Sequence, residues 1–185
     1  MKKKGNLSMK RLLVSIGMLL AWPAVVAGFA CAEETEGLPS GWKSYRNDEH
    51  GFQVYYPDDW EKMYPAGAIV GFRDSQVDEF QENVVVVIES CNGMDLEQYV
   101  AANRENLLLI IPGVTISDDR YIEVQGRQGH EWIIRWTLEG VNLKQKQVAF
   151  VAHEKGYSLT CSASEGTYSE YAYTFNEIID SFVIE

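Results

Sequence analysis

The chain has 185 residues, with 27 Asp and Glu against 16 Lys and Arg and a formal net charge of −11. So acidic a balance opposes a nucleic-acid role, because holding phosphates requires clustered positive charge. At this length, with 46% hydrophobic residues, the chain can bury a core without a metal or disulfide staple.

The first element is not part of a domain. Lys2, Lys3, Lys4, Lys10 and Arg11 precede the apolar run "LLVSIGMLLAWPAVVAGFA", and small residues follow. A basic start, an apolar centre and a small-residue end describe a secretory signal peptide over residues 1–32. Ala30 and Ala32 occupy the positions read in an A-x-A site, which places cleavage after Ala32. The alternative is a retained anchor, but the run is near the lower limit for spanning a bilayer and acidic residues follow it. Cys31 is a candidate for acylation, although Gly28 and Phe29 depart from the usual lipobox. Export to the periplasm or to an extracytoplasmic membrane surface is therefore expected. Residues 33–40, "EETEGLPS", read as a flexible acidic leader, and residues 41–185 as one domain.

Within the domain, "FQVYYP" alternates, with Phe52, Val54 and Tyr56 on one face of a strand. Trp60 is expected to join them in the core, while Asp58 and Asp59 hold the turn after Pro57. Residues 68–72 form a second strand and "NVVVVIES" a third, apolar on successive positions and so covered on both faces. Leu96, Tyr99, Val100, Asn103, Leu107, Ile110 and Ile111 fall at helical spacing, opened by an Asp95–Gln98 capping box and stopped by Pro112-Gly113. Four runs joined by short turns follow: "RYIEVQG", "GHEWIIRWTLEG", "LKQKQVAFVAHEK" and "GYSLTCSA". Links this short impose antiparallel pairing. Tyr168, Tyr171, Ala172, Phe175, Ile178, Ile179 and Phe182 make the stripe of a last helix, for which Thr167 and Glu170 predict a capping box. Two amphipathic helices on a mostly antiparallel sheet give an α+β layered domain.

Candidate chemistry is sparse. Cys91 and Cys161 can bridge in an oxidising compartment, which would stabilise by about 3–4 kcal/mol, or stay as buried thiols. Both readings stand, and neither makes a zinc site. His50, His130 and His153 are dispersed. His130 and His153 lie on strands separated by one hairpin, so they could meet across the ladder as a two-histidine site or be ordinary sheet histidines. "DSQVDEFQEN" is acidic but misses the EF-hand spacing, so it is a solvated loop or a loose calcium holder. No G-x-S-x-G, G-x-x-x-x-G-K-[ST] or G-x-G-x-x-G occurs. Trp132 and Trp136 share one strand face with His130, Ile134 and Leu138: a core face under a helix, or a ligand groove with Arg135 nearby.

The stretches "YRNDEHGFQVYYPDDW", "NVVVVI", "LEQYV", "VQGRQGHEW", "GYSLTCSAS" and "FNEIIDSFVI", in that order, resemble the PsbP-like family. That family takes in the extrinsic subunit of photosystem II and many exported bacterial domains of unassigned role, DcrB-like lipoproteins among them. The resemblance implies an α-β-α sandwich with a central antiparallel sheet, no cofactor, no catalytic machinery, and action by binding. No family site residue is carried over, and the simple signal sequence argues against a photosynthetic role. The expectation is a non-enzymatic exported domain that recognises a protein partner in the envelope. The alternatives are a calcium-associated accessory subunit of a membrane complex, or a carrier of a small apolar ligand using Trp132 and Trp136.

Overall fold

The computed structural model describes residues 38–75 and 80–185. The segment expected to be a signal peptide, Cys31, most of the expected leader and positions 76–79 of the acidic loop lie outside the described residues. Among the described residues the fold comprises two sheets and two helices. β1 (Trp42–Asn47) and β2 (Phe52–Pro57) form an antiparallel hairpin, and β10 (Val183–Ile184) pairs with the far edge of β2. The larger sheet has seven strands in the order β3-β4-β5-β9-β8-β7-β6. These are β3 (Glu61–Met63), β4 (Val70–Arg73), β5 (Asn83–Ser90), β6 (Thr115–Val124), β7 (Arg127–Leu138), β8 (Val141–Ala152) and β9 (Lys155–Ser164). The helices are α1 (Leu96–Ile110) and α2 (Tyr168–Asp180).

The strand order follows from the links. α1 carries the chain from β5 to the opposite edge of the sheet, and the four-strand meander then returns, so that β9 closes against β5. β5 is thus central, with β4 on one side and β9 on the other. Its first five residues, Asn83 to Val87, are buried. That is the double cover its unbroken valine run requires.

Each face of the large sheet has its own core. On one face, Val84, Val86, Val148, Phe150, Leu159 and Cys161 pack against α2, through Phe175, Ile178 and Ile179, and against the small sheet, through Phe52, Val54 and Tyr56. Trp60 sits in the same cluster, with its ring against Tyr171 and Phe175. The aromatic stretch at residues 51–60 therefore serves packing, as expected. On the other face, Trp132, Ile134 and Ala149 pack beneath α1, through Tyr99, Leu107 and Ile111.

Several local expectations need correction. The strand "FQVYYP" belongs to the small second sheet and does not join the large one. Of the two readings left open for Cys91 and Cys161, the structure shows the buried free thiols, which lie in different cores. Burial raises the pKa of the Cys161 thiol and keeps it from ionising. The Asp95–Gln98 capping box is present in both directions. The Thr167–Glu170 box is not: Thr167 has helical backbone angles and no side-chain cap bond. Its hydroxyl instead donates to the buried carboxylate of Glu82 at 2.5 Å. A buried charge without a donor costs more than an uncapped helix end, so the hydroxyl goes to the carboxylate.

Candidate functional site

A cleft of about 580 Å³ opens where three distant segments meet. One wall is the β6–β7 turn, whose central residues Gln125 and Gly126 both have positive φ, at 50° and 73°. That turn geometry suits a tight two-residue hairpin and favours glycine at the second position. Gly129, a few residues on, lets the Phe150 ring lie flat against β7, since a Cβ there would meet Phe150 Cε1 at 2.5 Å. The second wall is the start of α1, Asp95 and Leu96. The third is the chain end, Phe182 to Ile184.

Hydrogen bonds tie the β6–β7 turn to the end of the chain. Gln125 Nε2 donates to the Asp180 carbonyl at 2.7 Å, and Arg127 Nη2 to the Ile184 carbonyl at 3.4 Å. Phe150 and Phe182, stacked with centroids 5.8 Å apart, close the floor. Half-buried Leu96 and Val151 and exposed Val183 add apolar surface, and Gln128 and Arg127 add polar groups. A mixed cleft of this size is within the range of ligand sites, roughly 300–1,000 Å³.

The residues singled out in the sequence do not form a site together. Trp132 is 1% exposed under α1, and its indole donates to Gln147 Oε1 at 3.0 Å. Trp136 donates to Gln145 Oε1 at 2.9 Å. Each glutamine passes its amide protons on, Gln147 to Ser158 and Thr160, Gln145 to Ser162. This face is a buried core with a hydrogen-bonded polar ladder, so the tryptophan groove is not formed. Arg135 points to the opposite face, where it bonds Ser117 Oγ and pairs with Glu165. The ladder was missed although "LKQKQ" alternates, since inward glutamines become sensible only when a tryptophan N–H faces them.

The two histidines do not meet either. His130 stands opposite Ala149, whereas His153 sits beyond the end of β8 in an exposed turn. Four residues of strand, roughly 13 Å, separate the two positions along the ladder. His130 is buried and bonds Asp119 Oδ1 through Nε2 at 2.7 Å. Asp119 also pairs with Arg104 of α1, and the rings of Tyr121 and Trp132 flank the imidazole, each at 5.1 Å. Burial pushes the His130 pKa down, with Arg104 adding to the effect and Asp119 opposing it. The neutral ring with its proton on Nε2 fits these contacts, because Nδ1 has no partner.

Among the described residues, no group of three or more His, Cys, Asp and Glu side chains converges to hold a metal. The acidic loop is anchored at its ends by buried carboxylates: Tyr171 donates to Asp74 at 2.6 Å, and Thr167 to Glu82. No helix among them is long and apolar enough to cross a membrane.

Comparison with known proteins decides the family. The sequence model of the PsbP family matches residues 40–184. The chain belongs to the PsbP family. Among solved structures it is similar to cyanobacterial PsbP (CyanoP) of Synechocystis, at 14% identity and a TM-score of 0.62, over 85% of this chain and 98% of that one. It also matches PA94 of Pseudomonas aeruginosa, described as a putative regulator of unknown function, at 17% identity and TM-score 0.58, over 79% of this chain and 99% of PA94. LpqN of Mycobacterium tuberculosis, involved in cell envelope biogenesis, aligns at 15% identity and TM-score 0.56, covering 80% of this chain and 87% of LpqN. At such identities the likeness shows the PsbP-type fold and nothing finer. No curated protein sequence matches the chain.

Proposed function

We propose that this PsbP-family chain is an exported, non-enzymatic binding domain that recognises a protein partner in the cell envelope through the cleft between the β6–β7 turn, α1 and the chain end. The cleft carries the reading. It is already formed, it combines apolar walls with polar groups on the rim, and hydrogen bonds from side chains to backbone carbonyls brace it. The basic, apolar start of the sequence supports export, and one fold relative, LpqN, serves cell envelope biogenesis. His130 and the buried carboxylates of Asp74 and Glu82 are committed to packing and hydrogen bonds, which favours recognition over turnover.

The test is photo-crosslinking in intact cells. A photoreactive residue at exposed Gln128, on the cleft rim, should capture one discrete envelope protein. The same group at exposed Ser169, on α2, should not. Equal capture at both positions, or none at either, would remove the reading.

A further inference from the structure

Ion pairing across this acidic chain leaves one arginine apart from the rest. Arg46, Arg73, Arg104, Arg120 and Arg135 each pair with a carboxylate. Arg127, alone among the arginines of the described residues, forms no ion pair, and it lines the cleft. Its guanidinium reaches the Ile184 carbonyl at the long distance of 3.4 Å. In a chain of net charge −11, a guanidinium left without a carboxylate has its fork of donors available for one from outside.

We propose that Arg127 makes the cleft a carboxylate-recognition site for a peptide segment of the partner. This deepens the reading above and rests on it. The carboxylate takes the Arg127 fork, an adjoining apolar side chain lies on Leu96, Val151 and Val183, and the Gln128 amide meets the peptide backbone. The lining favours a single negative charge. Asp95, the one acidic residue in the wall, would repel a dianion such as phosphate, and a single guanidinium could not offset it. A bare fatty acid would leave the Gln128 amide unused, whereas a peptide group supplies both its donor and its acceptor.

The experiment is an NMR titration of the full, isotope-labelled chain with acetyl-Val-Leu as the free acid and as the C-terminal amide, with acetyl-Asp-Leu amide, octanoate and inorganic phosphate as further arms. The acid should shift the amide signals of Gly126, Arg127, Gln128 and Val183 saturably, and the uncharged amide should bind roughly tenfold more weakly, as expected for loss of a charge-assisted pair. Saturable shifts from the Asp peptide would place the carboxylate on a side chain; from the acid alone, at a chain terminus. Arg127→Gln should abolish the preference for the acid, and Arg127→Lys should keep part of it, with unchanged spectra elsewhere reporting an intact fold. The proposal is overturned if neither the Val-Leu acid nor the Asp peptide binds more tightly than the uncharged Val-Leu amide, if Arg127→Gln leaves that preference intact, if no peptide shifts these signals at millimolar concentration, or if octanoate or phosphate binds as tightly. Crosslinking from Gln128 that persists in the Arg127→Gln protein would sink this inference while leaving the binding-domain reading standing.

Discussion

His130 shows how one side chain acquires properties that its neighbours in sequence do not give it. Asp119 reaches its Nε2 from β6, where the pairing register with β7 shifts between Ser117 and Arg120 and Asp118 adopts a φ of 52°. Arg104 comes from α1, and Glu131, on the other face of β7, contributes a weaker opposing field. The net result is a pKa below the usual 6.5, with burial as the largest cause. As pH falls below that value the unfolded chain takes up the proton first, so the fold loses stability until the folded histidine is protonated too. Urea midpoints at about pH 7.5 and 5.5 should therefore fall on acidification, and fall less in His130→Gln. An equal fall in both proteins would show that carboxylates elsewhere control the response. The strand face of Trp132 and Trp136 was legible as a core face from its period of two. The partners of His130 were not, because a bulge and a helix side chain carry no periodic mark.

At the scale of elements, most of the pattern is local and was readable. The α1 limits follow from Asp95, Gln98 and Pro112-Gly113, and the meander from its short turns. How α1 seats on the sheet is another matter. Tyr99 is buried, with its hydroxyl donating to Glu89 at 3.0 Å, and its ring lies directly over Gly156 of β9. A methyl group at Gly156 would fall within the space of that ring. Gly156→Ala should destabilise by about 1–3 kcal/mol, as overpacking does, read as a lower urea midpoint with unchanged slope. A loss under about 0.5 kcal/mol would mean that Tyr99 can swing aside at little cost. The strands β1, β3 and β10 escaped the sequence reading for a related reason. They are short or largely polar, and they lie at sheet edges where one neighbour suffices.

For the whole molecule, Phe182 is the point where the parts join. It lies between α2 and β10, and its ring contacts Phe52 of the small sheet and Phe150 and Tyr157 of the large one, with centroids 5.4, 5.8 and 6.4 Å away. Phe182→Ala should cost about 3–5 kcal/mol. Leu109→Ala, at a position 74% exposed on α1, should stay within about 0.5 kcal/mol in the same denaturation assay. If the two losses are similar, the small sheet is not held to the large one through this ring. The sequence by itself determined the α+β class, the antiparallel meander, the two helices and the acidic balance, because each follows from spacing between near neighbours or from simple counting. Only the tertiary structure decided that the two cysteines stay apart, that the Trp132 and Trp136 indoles are met by inward glutamines, and that Arg127 opens onto a cleft. Those outcomes depend on which face of the sheet a residue meets after the chain has crossed it, and on a cleft lined jointly by Asp95, Arg127 and Phe182, whose separation along the chain leaves no repeating signal.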